Sequence, residues 1–555
     1  MNASRWIVLA LASSAVLLAG TANAATQITN ANGYTLDAAG KLQRFATLLI
    51  DDAGRVSATL PKGAPLPPLG AGDKRIDVHT RTLLPGLIDA HGHVENLGAQ
   101  ALALDLTATP TLAAAQAALK AYATANPQRA WLQGGGWNQE IWKLGRFPTA
   151  AELDSVVADR PVALRRIDGH AIWLNSKALA AAGITAKTAD PAGGRIERDA
   201  AGNPTGVLVD GAIDLVAAVI PPATPAEDDA ALAKALFIMA SVGLTGVGDA
   251  GVSADDFARL QAFDRDGKLT ARIYAMAGGM DALAKIAPNG PIKWAGTDRL
   301  ALMSVKLYGD GALGSRGAAL LAPYSDASGN KGLLFSTQGE MDAQVASAAA
   351  RGFQPNVHAI GDAANAQVLD SFARLTPAQR VALRPRIEHA QVVALPDLSR
   401  FASLNVIASM QPTHATSDMN MAEARIGAER LKGAYAWATL LKSGARYAGG
   451  SDFPVESPNP FYGLHAAVTR QDADNAPPGG WIPTEKMTIE QAFAAFTTGA
   501  AYANFEDNFA GTLTPGKWAD FIIIDRDIFT GPPAAIRGTL VEETWLAGKP
   551  VFYRH

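Results

Sequence analysis

Eight short apolar runs, each suited to one buried strand, alternate with alanine-rich stretches that suit helices over most of this chain. Apolar strands separated by helices are typical of parallel β/α units, and eight such units close into a barrel. We therefore predict an α/β fold built on a (β/α)8 TIM barrel. The predicted strands lie near residues 83–90, 242–248, 271–276, 301–307, 353–358, 384–389, 405–411 and 446–452.

The remaining sequence divides into an insertion and two β-rich ends. Residues 95–240 separate the first predicted strand from the second, an interval long enough for an inserted lid over the barrel mouth. The barrel itself takes residues 83–94 and 241–509. Short β segments fill residues 25–82 and 510–555, and neither end alone could bury a sheet face. We predict that the two ends together form a small composite β-sandwich.

Composition narrows the function classes. The 555 residues exceed one ordinary domain, and 48 % are apolar, 18 % are charged and the net charge is −4. This balance favours a globular protein and excludes disorder and nucleic acid as a partner. The chain has no cysteine, so metal ligands must be histidine, carboxylate or a modified lysine. The sequence leaves homo-oligomer formation open.

The N-terminus has the features of a secretory signal peptide. Arg5 precedes the apolar run Trp6 to Ala19, and Ala22-Asn23-Ala24 offers small residues for cleavage before Ala25. The alternative is a membrane anchor, but the run is shorter than the ~20 residues that a spanning helix needs. We predict that residues 1–24 are removed and that the protein is periplasmic or secreted in a bacterium, without a membrane anchor.

Residues able to bind a metal stand at the ends of the predicted strands. His91 and His93 are two apart on a strand, so their side chains share one face and can converge on one ion. Alone this pair would be weak evidence. His358, His389 and Asp452 each end another apolar run, where the active sites of barrel enzymes lie. Together the five residues predict a metal site at the barrel mouth.

Lys306 ends a further buried run, Leu302-Met-Ser-Val-Lys306. An uncompensated ammonium group in that position would be costly. One solution is a salt bridge with Asp310 at the barrel rim. Another is a modification that removes the positive charge.

The order and setting of these residues resemble the amidohydrolase superfamily of metal-dependent hydrolases, and more narrowly its YtcJ-like branch (amidohydrolase family 3), which is related to N-substituted formamide deformylases. The resemblance covers nearly everything after the signal peptide. It is carried by Asp168-Gly-His-Ala-Ile-Trp-Leu-Asn, Lys306-Leu-Tyr-Gly-Asp-Gly-Ala-Leu-Gly-Ser-Arg, His358-Ala-Ile-Gly-Asp, Arg386-Ile-Glu-His-Ala-Gln, Gly450-Ser-Asp-Phe-Pro-Val and Leu513-Thr-Pro-Gly-Lys-Trp-Ala-Asp.

The resemblance implies a role for each predicted ligand. His91 and His93 would bind a buried metal ion, and His358 and His389 a more exposed one. Lys306, carboxylated on its amine, would bridge the two ions. If Lys306 instead formed a salt bridge with Asp310, the site would hold one ion. Zn²⁺ is the expected metal, although manganese, iron or cobalt could fill the same ligands.

The implied activity is hydrolysis of a C–N bond in a small-molecule amide. Metal-activated hydroxide would attack the carbonyl, and Asp452, also a ligand of the inner metal, would act as the catalytic general base and acid. Deamination or opening of a cyclic amide on the same site is an alternative. A non-catalytic binding relative is the opposite reading, disfavoured by the intact ligand set.

Six further residues are predicted to contact the substrate. Four lie in the insertion, and their aromatic and polar side chains could line a pocket. For His170 a hydrogen bond within the lid is an equal alternative, and for Arg316 the alternative is fixing its own glycine-rich loop. The six are Trp137, Asn138, Asp168, His170, Arg316 and His414.

Overall fold

The computed structural model describes residues 26–167 and 169–554, whose strands form four sheets. The predicted signal peptide and Asp168 lie outside the described residues. The strands before the barrel are β1 (Thr26–Thr29), β2 (Asn32–Leu36), β3 (Leu42–Phe45), β4 (Thr47–Ile50), β5 (Val56–Leu60), β6 (Lys74–Asp77) and β7 (Thr82–Pro85). The first barrel strand and the strands of the insertion are β8 (Leu87–Gly92), β9 (Leu104–Asp105), β10 (Leu132–Trp137), β11 (Val162–Arg166), β12 (Ala171–Leu174), β13 (Gly194–Arg198) and β14 (Pro204–Asp210). The other barrel strands and the C-terminal strands are β15 (Leu244–Val252), β16 (Arg272–Gly278), β17 (Leu300–Tyr308), β18 (Gln354–Ala359), β19 (Arg386–His389), β20 (Ile407–Met410), β21 (Arg446–Gly449), β22 (Phe521–Ile524), β23 (Val541–Leu546) and β24 (Lys549–Tyr553).

Helices fill most connections between the barrel strands. Several begin with a capping box, in which a Ser or Thr and an acidic residue three positions later exchange hydrogen bonds with the backbone, as at Thr224 and Glu227, Ser253 and Asp256. The last two helices are joined by a π-helical turn at Ala495–Gly499. The helices are α1 (Val94–Leu102), α2 (Leu112–Ala125), α3 (Ala150–Asp154), α4 (Ser176–Ala181), α5 (Asp214–Ala217), α6 (Pro225–Ser241), α7 (Ala254–Arg265), α8 (Gly279–Ile286), α9 (Gln338–Ala350), α10 (Asp362–Ala373), α11 (Pro377–Leu383), α12 (Leu398–Ser403), α13 (Pro412–Asp418), α14 (Ala422–Leu431), α15 (Trp437–Lys442), α16 (Pro460–Thr469), α17 (Ile489–Ala494) and α18 (Ala500–Ala503).

The predicted barrel is confirmed. Strands β8 and β15 to β21 form one eight-stranded sheet in chain order, with every neighbouring pair parallel. The two edges approach each other just beyond β21, where the Asp452 N–H donates to His91 O at 2.7 Å and the His93 N–H donates to Phe453 O at 2.8 Å. This closure brings the carboxyl ends of the first and last strands together.

Two of the differences between the predicted and observed strand limits move residues to another sheet or to a loop. The run 83–90 is divided between two strands, because β7 pairs with β2 and β22 in another sheet, whereas β8 begins the barrel. Gly86 lies between them, where a Cβ atom would come 2.2 Å from Thr245 Oγ1. The run 446–452 leaves the strand conformation after Gly449, so Asp452 lies on the loop that follows β21.

The two chain ends build adjoining sheets. One sheet has the order β5-β4-β1-β6, and the other, β24-β23-β22-β7-β2-β3, combines N-terminal and C-terminal strands. One apolar core is shared by both sheets and includes Ile28, Leu48, Leu83, Phe521 and Trp545. The two sheets therefore share a core built from both ends of the chain.

The insertion after α1 has a sheet and a core of its own. Its strands have the order β13-β14-β12-β11-β10-β9, and Trp137, Trp142 and Trp173 pack together on it. Helices α1 and α6, which flank the inserted sheet in sequence, pack against each other. Among the described residues, no helix has both the length and the apolar character needed to cross a bilayer.

Candidate metal centre

The barrel brings five predicted ligands from the ends of four strands to one place. His91 lies in β8 and His93 directly after it, and Nε2 of these residues lies 3.5 Å and 3.1 Å from Asp452 Oδ1. The His389 ring centroid lies 5.0 Å from that of His91 and 4.6 Å from that of His358. All five side chains therefore belong to one cluster at the C-terminal end of the barrel.

His414 joins this cluster from α13. Its Nε2 lies 3.7 Å from Asp452 Oδ2, and its ring stacks on His389 with centroids 5.8 Å apart. Ligand atoms of His389, His414 and Asp452 lie within 4.8 Å of one another, as do those of His91, His93 and Asp452. Asp452 is common to both groups, with one oxygen facing each.

Hydrogen bonds at Nδ1 orient three of the imidazoles. His91 donates to Glu388 Oε2 at 2.6 Å, His93 to Ala250 O at 2.8 Å, and His389 to Gln411 Oε1 at 2.8 Å. A proton held at Nδ1 leaves the Nε2 lone pair directed at the cluster, which is the arrangement found in metal-ligating histidines.

Several atoms of the cluster are suited to a cation. When the Nδ1 proton is donated to Ala250 O, neutral His93 turns its Nε2 lone pair toward Asp452 Oδ1 at 3.1 Å. The two atoms can lie this close when either a second proton on His93 or a metal cation is between them. Nε2 of His358 and of His414 is buried and has no hydrogen-bond partner among the described residues. The donor set of imidazoles and carboxylate fits a divalent transition metal such as zinc.

Burial keeps most of these imidazoles neutral, as a metal ligand must be. It lowers the pKa of His91 to about 4 and that of His358 to about 3, and it holds the pKa of His389 well below the usual value, with neighbouring positive charge adding to the effect. Burial acts the same way on His93, but the hydrogen bond with Asp452 outweighs it and raises the pKa of His93. A metal ion binding there would displace this proton.

Asp452 has an ionised carboxylate and a strained backbone. Burial alone would raise its pKa, but the His93 hydrogen bond and the surrounding imidazoles hold that pKa far below the usual value. Asp452 and His389 both adopt left-handed backbone conformations, with φ of 61° and 74°. Such conformations cost about 1–3 kcal/mol each in a non-glycine residue and cluster at functional sites.

Lys306 points into the cluster. Its side chain is buried, and Nζ lies 3.1 Å from His91 Nε2. Burial lowers the pKa of Lys306 to about 8, although the Glu388 and Asp452 carboxylates oppose the shift. Asp310, considered above as a salt-bridge partner, instead accepts hydrogen bonds from the backbone N–H groups of Ala319, Ile360 and Gly361.

Two buried carboxylates around the ligands, Asp89 and Glu388, were not among the predicted site residues. Asp89 accepts hydrogen bonds from the His91 N–H and from the N–H and hydroxyl of Ser451, and so ties the first strand to the loop after the last. Glu388 contacts His91 from the opposite side of the barrel. The available signal was an acidic residue inside an apolar strand, next to or two positions from a histidine.

The proposed substrate contacts lie in different surroundings. Trp137 is fully buried in the inserted sheet, where its indole N–H donates to Leu164 O at 2.7 Å, and Asn138 Oδ1 accepts from the Glu140 N–H. The His170 ring is exposed and its Nδ1 lies 2.8 Å from Asp210 Oδ1. Arg316 forms a bidentate ion pair with Asp326. Of the described members of this set, His414 lies in the metal-ligand cluster, and the substrate contacts stay predictions.

A barrel with histidines and an aspartate at its strand ends defines a class of metal-binding barrel enzymes. A family model described as "Amidohydrolase family" matches residues 74–552. The chain belongs to this family, which confirms the resemblance found in the sequence.

Comparison with individual proteins supports the same family. The YtcJ protein of Bacillus subtilis is 31% identical over 489 residues, covering 86% of this chain and 90% of its own. The N-substituted formamide deformylase of Arthrobacter pascens is 28% identical over 539 residues, covering 94% and 97%. A crystal structure of an uncharacterized metal-dependent hydrolase from Pyrococcus furiosus superposes with a TM-score of 0.75 and 28% identity, over 91% of this chain and 100% of that one.

Proposed function

We propose that this protein hydrolyses the C–N bond of a small-molecule amide with the help of bound metal. The observation that carries the proposal is the convergence of His91, His93 and Asp452, whose ligand atoms all lie within 4.8 Å of one another in a buried histidine cluster. The family membership and the metal-dependent hydrolase from Pyrococcus furiosus support it.

His91, His93 and Asp452 would hold one ion, with His358 and His389 available to a second. A bound Zn²⁺ lowers the pKa of a water molecule toward about 7 and polarises a carbonyl group, which together make amide hydrolysis feasible at neutral pH. The protein's own contribution is to fix the imidazole tautomers through the acceptors at Nδ1.

Asp452 is the proposed general base and acid. Oδ1 faces His91 and His93, whereas Oδ2 faces His414 and is the oxygen available for proton transfer. Oδ2 would accept a proton from the attacking water and then donate it to the leaving nitrogen, so that the amine departs neutral. His414, whose Nε2 lies 3.7 Å from the same oxygen, is proposed to contact the substrate at this point.

Lys306 is proposed to be carboxylated on its amine, and the resulting carboxylate would help to hold two metal ions, with zinc as the expected metal. Support comes from its burial and its position 3.1 Å from His91 Nε2, since an ammonium group is costly there and carboxylation would remove its positive charge. Reconstitution of metal-free protein should then reach two ions per chain only with bicarbonate present. One ion per chain under both conditions would favour a single-metal site.

The experiment that tests the proposed activity is a panel of N-acyl amino acids, N-substituted formamides and lactams, assayed with metal-free and zinc-reconstituted protein. The relative from Arthrobacter pascens makes formamides the first choice. We expect turnover that returns with metal. Turnover of lactams alone would shift the proposal to cyclic amides, and zinc-independent turnover would refute the metal's role.

Export of the protein is a separate proposal. It rests on Arg5, the following apolar run and the small residues at Ala22-Asn23-Ala24. The mature protein should begin near Ala25 and be released with the periplasmic fraction. An intact Met1 terminus on cytoplasmic protein would contradict this.

A further inference from the structure

Glu388 differs from the other groups that orient the imidazoles. Ala250 O and Gln411 Oε1, which serve His93 and His389, are neutral oxygens, whereas Glu388 brings a carboxylate to within 2.6 Å of His91 Nδ1. The side chains of Glu388 and His91 are both fully buried. Hydrogen bonds to an ionised acceptor are roughly twice as strong as neutral ones, so His91 is the most firmly held of the three rings.

Glu388 is itself held by Arg386 two positions earlier on β19. The Arg386 Nε atom lies 2.9 Å from Glu388 Oε1, and both side chains are fully buried. The guanidinium also donates to Asn504 Oδ1 at 3.1 Å, to Ala90 O at 2.7 Å and to Ser409 Oγ at 3.0 Å. Through the guanidinium, these contacts anchor the carboxylate to three other parts of the barrel.

Fold stability does not by itself account for this arrangement. Desolvating two charges commonly offsets their attraction, and apolar side chains of similar volume often serve as well. The network ends at a metal-ligand candidate, because Glu388 Oε2 is directed at His91 rather than at a second cation. Orientation of His91 is the property that apolar replacements could not supply.

We propose that Glu388 is a positioning residue for metal binding, kept in place by Arg386. It fixes the Nδ1–H tautomer of His91 and increases electron density at Nε2, so the ion bound through His91 is held more tightly. This inference rests on the metal site proposed above. Loss of such an outer acceptor typically weakens metal affinity 10- to 100-fold.

Two variants test the role. Glu388→Gln retains an oxygen acceptor but loses the charge, and it leaves Arg386 unpaired inside the barrel. The double variant Arg386→Met/Glu388→Leu removes both charges together and so avoids an isolated buried cation. A matched control is Arg272→Met/Asp520→Leu, because that ion pair, with Nε and Oδ2 2.7 Å apart, is as deeply buried but is absent from the contacts of the histidine cluster.

The readouts are zinc affinity by competition with a chromophoric chelator, the visible spectrum of Co²⁺-substituted protein, and the melting temperature of metal-free protein. We expect both Glu388 variants to bind zinc 10- to 100-fold more weakly and to shift the Co²⁺ absorption bands. The control should keep wild-type affinity and spectrum, whatever its melting temperature.

A double variant that melts near wild type and binds zinc with wild-type affinity would overturn the inference. If every Glu388 variant is unstable and the control is equally so, while zinc affinity per folded molecule is unchanged, the pair is structural and the inference also fails. The variant His91→Ala tests the proposed metal site separately from the role of Glu388. If that variant binds zinc as wild type does, the metal site itself is wrong.

Discussion

The barrel rim and the inserted sheet both contain histidines and polar residues that the sequence marked as functional, but the fold uses them differently. At the rim, His91, His389 and Asp452 come from strands far apart in sequence and meet in one cluster. In the insertion, Trp137 is buried in a local aromatic core and the exposed His170 pairs with Asp210. A position at the C-terminal end of a barrel strand determines that a side chain lies at the barrel mouth. A position in the inserted segment does not determine whether a side chain lies in a core, at a site or on the surface.

Of the substitutions in the two regions, one at Asp452 is expected to have the largest effect on turnover. Asp452→Asn keeps the shape and one oxygen ligand but cannot accept a proton at neutral pH. Turnover on any accepted amide should fall by at least ~10²–10⁴-fold, while the variant folds and keeps much of its metal. Activity, metal content and melting temperature are to be compared with wild type. Near-normal turnover would remove Asp452 from the mechanism.

Trp137→Ala should damage stability rather than metal binding. The indole is fully buried among aromatic rings and donates to Leu164 O, so its loss should cost about 3–5 kcal/mol of unfolding free energy. Denaturant unfolding and metal analysis of the purified variant measure the two effects. If metal content drops while stability holds, the insertion and the rim are coupled in a way that the contacts of Trp137 do not explain.

His170→Ala should reduce kcat/KM while leaving bound metal unchanged. The ring lies on the exposed surface of the insertion, and loss of one substrate hydrogen bond corresponds to a decrease of up to about tenfold. Steady-state kinetics with metal analysis provide the test, and Asp210→Asn serves as a control for the pairing alone. Parallel loss of metal and activity would make His170 a ligand.

Arg316→Gln should have the smallest effect. Its ion pair with Asp326 is partly exposed, and such pairs contribute little to stability because solvent screens them. If Arg316 only fixes its loop, the melting temperature should fall slightly and the KM for carboxylated and uncharged amides should change equally. A selective rise in KM for N-acyl amino acids would show that Arg316 binds the substrate carboxylate.

The fold could be predicted because buried parallel strands leave a clear apolar pattern. The exception is instructive, since Leu83-Leu84 and Leu87-Ile88 are equally apolar, yet the first pair joins β22 from the other end of the chain. Gly86 marks that division, but the sheet each run joins depends on contacts hundreds of residues away. The local apolar pattern therefore shows where strands lie, but it does not show where one strand ends and the next begins.

The candidate ligands could be predicted from the strand-end rule, whereas their supporting groups could not. Glu388 precedes His389 in sequence but serves His91, 297 residues away. Trp137 follows three glycines, a setting compatible with a pocket or a core, and only the packing of Trp142 and Trp173 places it in a core. Which residue a side chain contacts across the barrel is determined only when the barrel has closed.

The most direct test of the metal site is anomalous scattering at the zinc absorption edge from a crystal of zinc-loaded protein. We expect a peak about 2.0–2.1 Å from Nε2 of His91 and of His93 and in contact with Asp452, with extra density on Lys306 Nζ if a second ion is bound. A zinc ion bound away from His91 and His93, with these imidazoles uncoordinated, would contradict it.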